Sequence, residues 1–459
     1  STTIVNAYVY PKLSSYLIGL QTSLSSSRLQ IMQSNGGMIS IPEAKSHGVR
    51  CILSGPAGGI VGATYIARTT RSRNESRPSH INIITFDMGG TSTDVSLISE
   101  EPALTTESII GGMPIALPFL DIHTIGAGGG SIATADIAGA LSVGPESAGA
   151  YPGPACYGHG TSPTVTDANL ILGRLLPEFF LGGSIKLNTE RSISSIQKLG
   201  IRLGLDAFQT ALGMIEVVNA HMERAIRVIS VERGHDPQDF SLFTFGGAGG
   251  LHATNLARRV GIPTVIIPPL ASTLSAFGML AADYIKDYSQ TVMIAGETDS
   301  EELGTKFAPL IQRAYHDLAQ EDFSRKQIRI EQSVDMRYVG QSYELNLRLT
   351  TKLNDDFAFI HQKHYGYHLP QAQTEIVTVR VRAIGSIDKP ILRPHKNKHL
   401  DLAPALIKML PVSYDSGMIN TPFYSGELLR PGARGRLLLR LPGPRNDPRG
   451  AVGRPRHPL

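Results

Sequence analysis

The chain has 459 residues, 41% of them apolar and 18% charged, with a formal net charge of +4. That length allows two or three domains with buried cores, and the composition excludes a disordered chain. From Arg430 onward eight arginines and one aspartate carry +7, which leaves −3 on the preceding residues and gives no reason to expect nucleic-acid binding.

The first residues, STTIVNAYVYPKL, lack the basic-then-apolar pattern of a signal peptide and have no initiator Met, so the chain reads as the middle of a longer protein. No apolar run approaches the roughly 20 residues of a spanning helix, so no membrane association is expected. Cys51 and Cys156 are the only cysteines. Two are too few for a disulfide framework or a four-thiolate zinc site, and a cytoplasmic location is the simplest expectation.

In chain order, TTIVNAYVY (2–10) is β-branched and apolar, and SSYLIGLQTSL (14–24) has helical spacing, an α/β opening. LSGPAGGIVGA (53–63) predicts a glycine-rich turn leading into a short helix, and 69–80 a polar loop. INIITFD (81–87), GGT and STDVSLI (92–98) predict a strand, a tight turn and a second strand. Residues 112–183, rich in Gly, Pro and Ala, predict packed functional loops, because so long an irregular stretch is rarely passive.

A long amphipathic helix is expected over 206–233, with Leu212, Ile215, Val218, Met222, Ile226 and Ile229 on its apolar face and Gly234 as its stop. FSLFTF (240–245) then reads as a strand, GGAGG as a turn, LHATNLARRVG as a helix and TVIIPP as a short strand. A helix follows over 300–322, and 326–390 alternates in the manner of strands.

Four segments carry chemistry. In FDMGGTSTD (86–94), Gly89 and Gly90 let the backbone approach an anion, Thr91 and Thr93 add hydroxyl donors, and Asp87 or Asp94 could hold Mg²⁺ through water; the other reading is a plain hairpin. FTFGGAGGLHA (243–253) puts Gly246, Gly247, Gly249 and Gly250 between a strand and a helix, a place for phosphate or merely for a tight crossover. Its spacing is not that of a dinucleotide fingerprint.

DIHTIGAGGGSIA (121–133) places Asp121 and His123 on one face of an extended segment, before a run that reads as a flexible loop. The pair suits metal ligation or acid–base work, or is structural. The stretch 144–170 carries Cys156, His159, Thr166 and Asp167. CYGH is half a zinc site with no second half, and Cys156 reads as a buried structural thiol.

Together these segments, with MQSNGG (32–37), PTVTDANL (163–170) and SAFGML (275–280), resemble the A-type subunit of hydantoinases, oxoprolinases and their acetone-carboxylase relatives. The resemblance implies an α/β fold, an actin/hexokinase/Hsp70-like ATPase lobe with mixed sheets plus a C-terminal β-rich region. The expected divisions are 1–290, 291–434 and an aberrant, unstructured tail at 435–459 that packs against nothing.

The resemblance also implies ATP and Mg²⁺ as cofactors, a cyclic amide substrate and a B-type partner subunit. Asp87 to Asp94 would clamp phosphate, Gly246 to Gly250 would lie near adenosine, Asp121 and His123 would be catalytic, and Asp87, Asp121 and His123 would be metal ligands. Phosphoryl transfer to the amide oxygen would activate the ring for attack by water. Ketone carboxylation and a non-catalytic nucleotide-binding module are the alternatives. Family members carry an earlier lobe with a second phosphate clamp, which this sequence does not include.

Overall fold

The computed structural model describes residues 2–25, 29–71, 81–105, 108–110, 112–392, 401–414 and 417–429. The tail expectation for 435–459 lies outside them. Among the described residues no helix is long and apolar enough to cross a membrane.

The chain opens with helix α1 (Thr2–Ser23), which takes in both the β-branched stretch and the segment of helical spacing and passes through Pro11. Tertiary packing overrides β propensity here. Val5, Val9, Leu13 and Leu17 recur every fourth residue and form the stripe that packs inward.

Strands β1 (Gln30–Met32) and β2 (Met38–Ser40) follow, then helix α2 (Ser54–Arg71). The expected glycine turn at 53–63 is therefore helix. Its glycines serve close packing against a later helix, α7 (Leu274–Ala281). A Cβ on Gly278 would sit 1.8 Å from the Gly58 carbonyl oxygen, and one on Gly58 2.7 Å from that of Ser275. The substitution Gly278→Ala is expected to force α2 and α7 apart and to cost on the order of 1–3 kcal/mol or more. A thermal melt should show a drop of several degrees; an unchanged midpoint would show that this contact is dispensable.

The first sheet holds the candidate site. It contains β3 (Asn82–Met88), β4 (Thr93–Ser99), β5 (His123–Ile125), β8 (Ser241–Phe245) and β9 (Thr264–Ile266) in the order β5-β4-β3-β8-β9. β3 pairs antiparallel with β4 and parallel with β8, and β4 pairs antiparallel with β5. Between β5 and β8 lie a hairpin of β6 (Ser131–Ala135) and β7 (Leu141–Ser147) and helices α3 (Val165–Ile171), α4 (Thr189–Leu203) and α5 (Ala207–Ile229).

α5 is the long amphipathic helix the periodicity predicts, closed by a short 3₁₀ turn and a left-handed Gly234. Helix α6 (Gly249–Val260) follows β8. Ile84, Phe86, Met88 and Val95 on one face of this sheet share a core with α3 to α6. Ile83, Ile98, Phe243 and Phe245 on the other face share a core with α2 and α7.

A second sheet has the order β1-β2-β10-β13-β11-β12, from β10 (Tyr284–Ala295), β11 (Ile328–Tyr338), β12 (Leu345–Arg348) and β13 (Thr374–Gly385), covered by α8 (Ser300–Ala319) and flanked by α9 (Leu353–Tyr365). The expected division at 290/291 falls inside β10. A hairpin of β14 (Leu406–Tyr414) and β15 (Gly417–Tyr424) docks on the end of α3, where Ser413 N–H donates to the Leu172 carbonyl at 2.9 Å.

Candidate active site

Parallel pairing of β3 with β8 ends with Phe245 opposite Asp87, so the turn after each strand opens at the same end of the sheet. The 89–92 turn closes through Gly89 N–H to the Ser92 carbonyl, 3.1 Å, and the Ala248 N–H ties the second turn to the Met88 carbonyl at 3.0 Å. Gly246 has φ +80°, and a Cβ there would lie 2.4 Å from Asp87 Oδ1, so only glycine admits this approach of turn to carboxylate.

Side chains added at Gly89, Gly90 or Gly247 would meet nothing within 4 Å; the space over these turns is open. α6 starts beyond Ala248, which supplies no side-chain cap, and its first N–H groups point where an anion is favoured. Gly249 itself is buried against Thr244.

A third glycine turn joins the other two. Gly129 N–H donates to the Gly89 carbonyl at 3.0 Å and Gly130 N–H to that of Gly90 at 2.6 Å, while Thr166 N–H and hydroxyl bind the Gly129 carbonyl. Residues 127–130 are buried, so the expected flexible AGGG loop is instead a fixed brace under the hairpin turn.

Asp87 and Asp94 face each other across the hairpin register. The Asp87 carboxyl is pushed up to about 6, chiefly by burial and then by the Asp94 charge. Asp94 is raised by burial, opposed by the hydroxyl of Thr124, which donates to its Oδ1 at 2.5 Å. Two half-buried carboxylates in register fit a divalent cation that keeps most of its water and takes its other ligands from phosphate.

Strand alternation corrects two expectations and an ion pair a third. Thr124 pairs with Asp94, so His123, opposite Val95, points to the other face of the sheet, toward α5. Asp121 is salt-bridged to Arg233 just beyond α5 (Nη2–Oδ1 3.2 Å). Neither side chain joins Asp87, and among the described residues no three His, Cys, Asp or Glu converge to hold a metal. Thr93 also faces α5; it is fully buried and its hydroxyl donates to the Ala127 carbonyl at 2.5 Å, bracing the third turn rather than meeting solvent. Thr91 stays exposed at the turn.

Sequence reasoning passed over Thr124, although it directly follows His123, and His252 on α6. The His252 ring is buried, hydrogen-bonded between Asn219 (2.8 Å) and Asn169 (3.3 Å), and its pKa falls to about 3 through burial and then Arg174. It is a neutral strut seating α6 on α5. Asp167 and Cys156 are buried together, and burial followed by the Asp167 charge raises the thiol far above its ordinary range. Cys156 is thus a structural thiol, as the sequence indicated.

This fold, mixed sheets with glycine turns gathered over paired carboxylates, is the hydantoinase-type ATPase-like fold. It matches the solved structure of ATP-dependent caprolactamase from Pseudomonas jessenii with a TM-score of 0.79 and 33% identity, covering 93% of this chain and 64% of that one. The nucleotide-free structure of acetone carboxylase matches with a TM-score of 0.72 and 28% identity, covering 91% and 62%. Residues 1–288 match the hydantoinase/oxoprolinase family, and the chain belongs to it.

Among curated relatives, caprolactamase subunit alpha of P. jessenii is 34% identical over 94% of this chain and 64% of its own length. The 5-oxoprolinase of Saccharomyces cerevisiae is 36% identical over 84% of this chain and 31% of its own length. The chain therefore spans less than two thirds of the relatives it matches.

Proposed function

We propose that this chain supplies the phosphate-clamping part of an ATP-dependent enzyme that opens a cyclic amide. The observation that carries the reading is the meeting of two glycine turns beside the Asp87–Asp94 pair at one end of a mixed sheet, with a third glycine turn bracing the hairpin. Backbone N–H groups of the Gly89–Thr91 turn and of the α6 start would bind phosphate oxygens, Asp87 and Asp94 would hold Mg²⁺ through water, and Thr124 would fix the Asp94 carboxylate. Bound Mg²⁺ would neutralise charge on the transferring phosphoryl group.

Asp87 would also orient the group that attacks, and the brace at Gly128–Gly130 would hold the turn still as charge moves. Asp121, paired with Arg233, and His123, on the other sheet face, carry no part in this reading. A relative named as an alpha subunit supports a partner subunit, which this reading takes to be B-type. The acetone carboxylase likeness supports a second reading, phosphorylation of a ketone for carboxylation.

The test is ATP turnover by the full-length natural chain with its B-type partner. Stimulation by oxoproline, a hydantoin or a lactam without bicarbonate supports the first reading, and an absolute need for bicarbonate and a ketone supports the second. In the same assay His123→Ala should retain activity within a few-fold. A loss of about 10²-fold or more, the scale of a general acid or base, would return His123 to the site.

A further inference from the structure

The far edge of the second sheet carries a small cavity with aromatic walls and a few polar groups that the nucleotide reading does not use. The connection from β11 to β12 supplies Gln341, Ser342 and Tyr343, and α9 with its exit supplies His361, Tyr365 and Tyr367; together they bound a cavity of about 180 Å³. That is below the range of nucleotide-sized sites but holds a small organic group.

His361 is buried at 1% exposure, and its Nδ1 lies 2.8 Å from the Tyr367 carbonyl oxygen. A carbonyl only accepts, so Nδ1 carries the proton and, in the neutral ring, Nε2 is an acceptor. Its contact, the Gln341 side-chain amide, is at 3.5 Å, the outer limit of a hydrogen bond, so a better donor could replace it. Tyr338, Tyr365, Tyr367 and Phe357 pack on the imidazole with centroids 4.7 to 5.6 Å away. Among the described residues no lysine, arginine, aspartate or glutamate lines the cavity.

The walls therefore offer an imidazole lone pair, an amide, a hydroxyl and three tyrosine side chains. We propose that this cavity binds a primary alkylammonium group. His361 Nε2 accepts one of its N–H bonds, and Tyr343, Tyr365 and Tyr367 cover its charge. A free amino acid or a lysine side chain of a protein would carry the same group.

The test titrates the full chain with n-butylammonium chloride by saturation-transfer NMR, with tetramethylammonium, which has no N–H, as the comparison. Saturable binding is expected, with tetramethylammonium at least about tenfold weaker. Tyr343→Ala should weaken it about tenfold. Because Tyr343 is 68% exposed, that variant should keep its melting temperature.

The His361→Phe variant keeps the aromatic wall and should remove the preference for the primary amine. Displacement by free lysine or by a blocked lysine peptide supports the site and separates the two sources. Absence of saturable binding, equal affinity in Tyr343→Ala, or equal binding of tetramethylammonium overturns the proposal.

Discussion

Asp87→Asn is expected to give a protein that is more stable at neutral pH and inactive in ATP turnover. The Asp87 carboxyl titrates near 6 in the folded chain, against an ordinary 3.8, because burial and then Asp94 disfavour its charge. As pH rises from about 4 to about 6 the unfolded chain loses this proton first, so folded-state stability falls across that window and is level above it.

The two-unit displacement corresponds to roughly 3 kcal/mol at most. The asparagine variant should recover a large part of it at pH 7 to 8 and show no gain below pH 4. Melts of both proteins across that range check the sign, and a variant less stable than the parent at pH 8 would contradict it. Turnover should fall by about 10²-fold or more, the usual cost of removing a group that acts on transition-state charge. Added Mg²⁺ should raise the parent's melting temperature more than the variant's.

The second large effect is expected at Asp167. Its two carboxylate oxygens take the N–H groups of Ala155 (3.1 Å), Cys156 (2.9 Å) and Thr164 (3.0 Å) and the hydroxyls of Thr164 (2.7 Å) and Ser192 (2.6 Å). The residue is fully buried, and α3, which it caps, presents Thr166 to the Gly129 carbonyl.

Asp167→Ala leaves these donors without their acceptor, and breaking a buried charged cluster costs about 3–5 kcal/mol. The melting temperature should drop by roughly 3–5 °C in a chain of this size, and residues 153–160 should become open to proteolysis at temperatures where the parent resists. A drop of only a degree or two would mean that water replaces the carboxylate and that the clamp is dispensable.

The hairpin at 82–99, the 241–260 strand–turn–helix unit, the 207–229 helix and the strands of 328–385 were legible in the chain. Each is a local period, of two or of three to four residues, bounded by a glycine turn or a cap. The same reading misjudged 2–10 and 53–63. There the local signals, β-branching and glycine density, point away from helix, and the deciding contacts come from distant residues: the cores against which Val5 and Leu17 pack, and the Ser275 and Gly278 backbone against Gly58. The glycine run at 128–130 misled for a like reason. Glycine permits both motion and close approach, and only the hydrogen bonds to Gly89 and Gly90 select the second.

The sequence by itself determined which residues could form the candidate site: the Asp87–Asp94 hairpin, the Gly246–Gly250 turn, and the ordered set of motifs that marks the hydantoinase/oxoprolinase family. Tertiary structure decided which of them meet. Parallel pairing of β3 with β8 brings two turns, far apart in the chain, to one sheet end. The register of β5 on β4 turns Thr124 toward Asp94 and His123 away from it. The physical reason is that side chains alternate between sheet faces, so the face a residue serves depends on a pairing made with a remote strand.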